Sequence, residues 1–152
     1  MDVVSHALWG GLVFGGSDSV VLAATFGAAP DLIPFVPFVL HEAIHNKRIS
    51  PLKPDIQAFP SWTFKLYNYT HSLISYLGIF LICYWLFSPA VARLSLGWLL
   101  HILMDIPTHE KKFFPTEFLF PLSDFSFDGI PWSRGSVMLG NYLALVLVFL
   151  LK

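Results

Sequence analysis

A chain of 152 residues has the length of one domain, and with 55% apolar and only 12% charged side chains it is too apolar for an ordinary soluble domain of that size. Its formal net charge of −1, with nine Lys and Arg dispersed among aromatic residues, forms no basic stripe and excludes nucleic acid as a structural partner. The expectation is an all-α integral membrane bundle of short helical hairpins, residues 1–152 forming a single membrane-embedded domain in the cell (inner or plasma) membrane, with membrane lipid as its surroundings.

The chain opens Met1-Asp2-Val3-Val4-Ser5-His6, without the positive n-region of a secretory signal, so its first apolar segment is expected to be retained. Residues 7–29 are apolar but interrupted by Gly15-Gly16-Ser17-Asp18-Ser19, a run of turn formers that predicts a helical hairpin instead of one span. Each arm of about ten residues is roughly 15 Å long and reaches about half-way across the hydrocarbon. Folding back brings Asp31 to His6, which one straight helix would hold roughly 37 Å apart.

Residues 30–70 carry Pro30, Pro34, Pro37, Pro51, Pro54 and Pro60 with Lys47, Arg48, Lys53, Lys65 and Asp55. This pattern predicts an irregular, water-facing region with one short helix at 38–46, and with Phe59, Trp62 and Phe64 in the headgroup layer. A second hairpin follows, from arms at 72–87 and 91–106 stopped by Ser88-Pro89 and Pro107. Its equal arms put His71 and the pair His101/Asp105 at one membrane face. Cys83, the single cysteine, lies within an apolar run and reads as a small hydrophobe, while Gly78 and Gly97 read as points of close helix packing. A polar stretch, 108–134, precedes a last apolar helix at 135–151. Seven of the nine basic residues (Lys47, Arg48, Lys53, Lys65, Lys111, Lys112 and Arg134) fall on the side of His71, which makes that side cytoplasmic.

His101 and Asp105, four residues apart, share one helix face, where an imidazole and a carboxylate can hold one divalent ion. The same spacing also suits a plain hydrogen bond in a core. His6, Asp31 and His71 decide for a site, because all five residues sit at ends of apolar helices on the same expected face. Mixed His and carboxylate donors suit zinc, with manganese as the alternative, in one or two ions. A metal would lower the pKa of its bound water to give a nucleophile for hydrolysis, with Asp31 or Asp105 orienting that water. His109 or Asp124 would supply the proton to the leaving group, and aromatics such as Trp132 would flank the pocket.

His41-Glu42-Ala43-Ile44-His45 is a formal HExxH, in which two histidines bind zinc and the Glu activates water. It lies between Pro37 and Pro51 in a charged segment, and so reads first as an amphipathic surface helix, with a membrane metalloprotease as an alternative. A further alternative is a non-catalytic membrane protein whose His/Asp pairs bind metal for structure or satisfy one another.

Ser5-His6 with Gly10, Gly27-Ala28-Ala29-Pro30-Asp31, Tyr69-Thr70-His71-Ser72-Leu73, Gly97 with His101 and Asp105, and Pro115 through Phe120-Pro121-Leu122-Ser123-Asp124 occur in an order that resembles the YdjM-like membrane-bound metal-dependent hydrolases. That family is distantly similar to the zinc-dependent phospholipase C and P1 nuclease group. The resemblance covers about residues 5–141. It implies an α-helical membrane hydrolase of phosphoesters with His6, Asp31, His71, His101 and Asp105 as metal ligands. The soluble relatives carry further His and Glu ligands on a later helix, whereas no His follows His109 here; Glu110, Asp124 and Asp128 are the carboxylates available to replace them.

Overall fold

Asp2 starts the first helix, its side chain accepting the Ser5 amide at 2.9 Å, and α1 (Val3–Phe14) ends at Gly15. The computed structural model describes residues 1–45, 56 and 59–152; the expectations placed on Lys47, Arg48, Pro51, Lys53, Pro54 and Asp55 lie outside the described residues. A turn follows in which the Gly16 amide donates to Ser19 Oγ (2.9 Å) and the Ser19 amide to Gly16 O (3.1 Å). The chain then reverses into α2 (Val20–His45), so the expected reversal is present, but its second arm is 26 residues long instead of about ten and is long enough to cross a membrane.

Among its described residues, the expected irregular region is largely helical. α2 runs for 26 residues, straight through Pro30, Pro34 and Pro37, and residues 38–45 of the predicted short helix are only its last turns. Each proline removes an i→i−4 hydrogen bond, and Pro34 leaves the Pro30 carbonyl unpaired. Thr70 Oγ1 donates to that carbonyl at 2.8 Å, a partner forty residues away. Residues 61–70, also expected to be loop, form α3 (Ser61–Thr70). Phe59 is likewise buried, packing with Tyr67 and Phe114 against Phe35, Phe38 and Phe64.

Ser72 caps α4 (Leu73–Ile82), accepting from the amides of Ile74 and Ser75. The helix widens into a π-helical turn at Cys83–Phe87, closed by the Ser88 amide on Cys83 O. Ser88 then caps α5 (Pro89–Leu94), with Pro89 in its first turn, and α6 (Leu96–Thr108) follows after Ser95. The second hairpin thus forms as predicted, with Cys83 buried in it, although its return arm is divided at Ser95 and passes Pro107. The last helix is α7 (Gly135–Leu150). Among the described residues there is no strand.

α2 and the stretch Pro89–Thr108 are long and apolar enough to cross a membrane, and Ser61–Thr70 with Leu73–Phe87, bent by 64°, makes a third candidate. Trp85, Leu86, Phe87, Leu150 and Leu151 are 71–77% exposed, an apolar surface of the kind that suits lipid.

Three glycines set the distances between the helices. A Cβ on Gly10 would lie 2.6 Å from Ala23 O, on Gly27 2.3 Å from His6 O, and on Gly97 2.9 Å from Ala23 O. α1, α2 and α6 therefore cross almost backbone to backbone. The expectation of close packing holds for Gly97 and fails for Gly78, around which nothing lies within 4 Å.

Candidate metal centre

Four residues separate Gly10 from His6, Gly27 from Asp31 and Gly97 from His101, so each glycine at the crossing lies one helical turn from a candidate ligand. The crossing draws these three ligands together, with Asp31 in the interior of α2 and not at a helix end as expected. His71 arrives from the bend between α3 and α4, and Asp105 from one turn beyond His101 on α6. Asp31, His71, His101 and Asp105 each offer one ligand atom, and those atoms all lie within 4.8 Å of one another. No other such group of three or more His, Cys, Asp or Glu occurs among the described residues.

The ring orientations say which atoms converge. His71 Nδ1 is 3.0 Å from Tyr67 O, and His101 Nδ1 is 2.7 Å from Gly27 O. A carbonyl only accepts, so each Nδ1 carries its proton, and a ring without a second proton presents a bare Nε2. Those two Nε2 atoms face each other at 3.0 Å. Asp31 Oδ1 lies 3.5 and 3.7 Å from them, and Asp105 Oδ2 lies 3.4 and 3.1 Å from them. Asp105 Oδ2 is fully buried and has no hydrogen-bond partner. Two imidazole Nε2 atoms and two carboxylates thus converge on one small volume. A buried acceptor left in that state is costly, and a divalent cation is the complement that the donor set fits. The backbone carbonyls behind both histidines supply the outer support that metal-binding imidazoles ordinarily have.

His6 lies beside this group instead of within it. Its Nε2 is 3.0 Å from Asp105 Oδ1, its ring stacks on His101 at 3.5 Å, and its buried Nδ1 has no partner. The Met1 amine also donates to Asp105 Oδ1 and meets part of the negative charge there. His109 is buried at the end of α6 with Nδ1 3.5 Å from Asp105 Oδ1. Burial lowers its imidazole below the usual range against the pull of the Asp105 carboxylate, and the charge of the Met1 amine lowers it further.

The other candidates are elsewhere. Asp124 is exposed and raises the Glu117 carboxyl, which burial already pushes up. Asp128 is exposed and accepts the Lys111 amide at 3.0 Å, while Trp132 donates its amide to Thr108 O. His41 and His45 stack at 4.4 Å on the last turns of α2, where His45 Nδ1–H donates to His41 O. Contrary to the expectation of a short charged segment, that motif ends a long apolar helix.

Two contributions are not visible from spacing. Tyr67 stacks on His71 at 3.7 Å, its backbone carbonyl accepts from His71 Nδ1–H, and its hydroxyl donates to Phe114 O. Asn141 joins α7 to α1, accepting from Trp9 Nε1 and donating to Ser5 Oγ, next to His6. The available signal was a lone amide in the apolar run of α7. Comparison of the chain with family models, with curated proteins and with solved structures gives no match.

Proposed function

We propose that this chain is a membrane-embedded, metal-dependent hydrolase of phosphoester or phospholipid-type substrates, a relative of the YdjM-like family in the motifs quoted above. The observation that carries the metal is the meeting of two Nε2 atoms with two carboxylates, one holding an unpartnered buried oxygen. Asp31, His71, His101 and Asp105 would hold the ion, zinc first and manganese second by donor type. When bound, such an ion makes water more acidic and offsets charge on a phosphoryl oxygen.

The protein's own groups supply the rest. Asp31 is the one ligand whose side chain is open, at 13% exposure, so its carboxylate is placed to accept a hydrogen bond from incoming water. Tyr67 O and Gly27 O keep the imidazoles in one tautomer. His109, kept neutral by burial and with Nδ1 3.5 Å from Asp105 Oδ1, would take up or deliver a proton. By the positive-inside tendency, the excess of Lys and Arg expected on the site's side would make that face cytoplasmic.

Hydrolysis of bis(p-nitrophenyl) phosphate and of phosphatidylglycerol by the detergent-purified chain tests this reading. Activity should vanish on chelation, return with zinc or manganese, and fall by about a hundredfold or more in Asp31→Asn. Activity that survives chelation overturns it.

One contact favours a second reading. A proton shared between His71 and His101 would also satisfy the 3.0 Å approach, with the carboxylates balancing the charge, in a protein that is not an enzyme. Such a chain would bind no metal.

A further inference from the structure

Away from the cluster, α1, α2 and α7 leave a groove of about 880 Å³ along the outside of the bundle. Its walls are Val4, Leu8, Gly11, Val20, Val146 and Phe149, with other small or aliphatic side chains between them. It runs along α1 from Val3 to Gly15, roughly 18 Å at 1.5 Å per residue. One leaflet of a bilayer is about 15 Å of hydrocarbon, so the groove has the length of a single acyl chain.

Its polarity is confined to the ends. At the Gly15 end stand Ser17 and Lys152, whose ammonium donates to Leu12 O and Gly15 O. No carboxylate side chain lies within salt-bridge distance of Lys152 among the described residues. The ammonium caps the carbonyl end of α1 and has no acidic side chain paired with it. An apolar slot one chain long, closed by a hydroxyl and a cation, is complementary to an amphiphile with an anionic head.

We propose that this groove binds one phospholipid, its acyl chain along α1 and α7 and its phosphate at Lys152 and Ser17. The assignment rests on the membrane reading of the chain and is independent of the metal cluster, none of whose residues lines the groove.

The test uses the full chain in mild detergent, loaded with dioleoyl phosphatidylglycerol or with dioleoylglycerol, which lacks the phosphate, and washed before lipid and metal are quantified. Leu8→Trp and Val146→Trp fill the slot from opposite walls at exposed positions, so the fold should tolerate them. Leu86→Trp, on an exposed apolar surface outside the groove, is the control. The wild type and the control should retain about one phosphatidylglycerol per chain, and both groove variants should lower retention about tenfold, the effect of roughly 1.4 kcal/mol of lost affinity. Lys152→Gln should remove the preference for phosphatidylglycerol over dioleoylglycerol while leaving the acyl chain bound. Equal retention by the control and the groove variants overturns the proposal, as does a dimer that only the groove variants dissociate, which would make a second copy the occupant. Loss of lipid with metal content unchanged separates this result from any failure of the metal reading.

Discussion

Gly27 is pressed so closely against the His6 carbonyl that a Cβ on it would lie 2.3 Å from that oxygen. Because the neighbour is backbone, α1 and α2 must separate to admit even a methyl group, and Asp31 moves with α2. Gly27→Ala should therefore destabilise the protein by about 1–3 kcal/mol and lower its metal content as well. Gly78→Ala, with nothing within 4 Å, should stabilise α4 by about 0.5–1 kcal/mol and leave the metal in place. Thermal unfolding in detergent with metal analysis reads both. Equal behaviour of the two variants contradicts the close-crossing account.

Thr70 joins two halves of the fold, since its hydroxyl donates to the carbonyl that Pro34 leaves free and stands 3.1 Å from His71 Nδ1. Thr70→Val strands that buried carbonyl and should cost about 1–3 kcal/mol, with metal affinity about tenfold weaker. Thr70→Ser keeps the hydroxyl and should recover most of both losses. A valine variant as stable as the wild type would mean that the prolines of α2 need no outside partner.

Much of this arrangement is legible in the sequence. The Gly-Gly-Ser-Asp-Ser run marks the first hairpin, the spacing of His101 and Asp105 marks the shared face, and the equal arms around Ser88-Pro89 bring His71 to the same level. What spacing cannot show is a hydrogen bond between distant segments. Three prolines in eight residues read locally as a break, and the Thr70 contact that satisfies the carbonyl freed by Pro34 is invisible in that local pattern. The carbonyls of Tyr67 and Gly27 are equally silent, because every residue has one and only the fold selects which meets a histidine.

Asp2 gives a pH dependence. Burial pushes its carboxyl up, but the Ser5 hydroxyl and amide and the Tyr142 hydroxyl outweigh this and hold it below its ordinary 3.8. A depressed carboxyl contributes stability above its unfolded value, and loses it as pH falls through the folded value. Asp2→Ala should thus cost about 1 kcal/mol at neutral pH, the usual value of an N-cap. The gap to the wild type should close as the pH falls below 3.8. A gap constant down to that range would place the stabilisation elsewhere.

The most direct measurement is elemental analysis of the detergent-purified chain after loosely bound metal has been removed, beside His101→Ala/Asp105→Ala and His41→Ala/His45→Ala. The account predicts about one zinc or manganese per chain in the wild type, from a single four-donor site. The first double variant should have none, and the second should match the wild type. A wild type without metal would make the His71–His101 contact a proton-sharing pair, and loss of metal only in the second variant would move the site to the HExxH turn of α2.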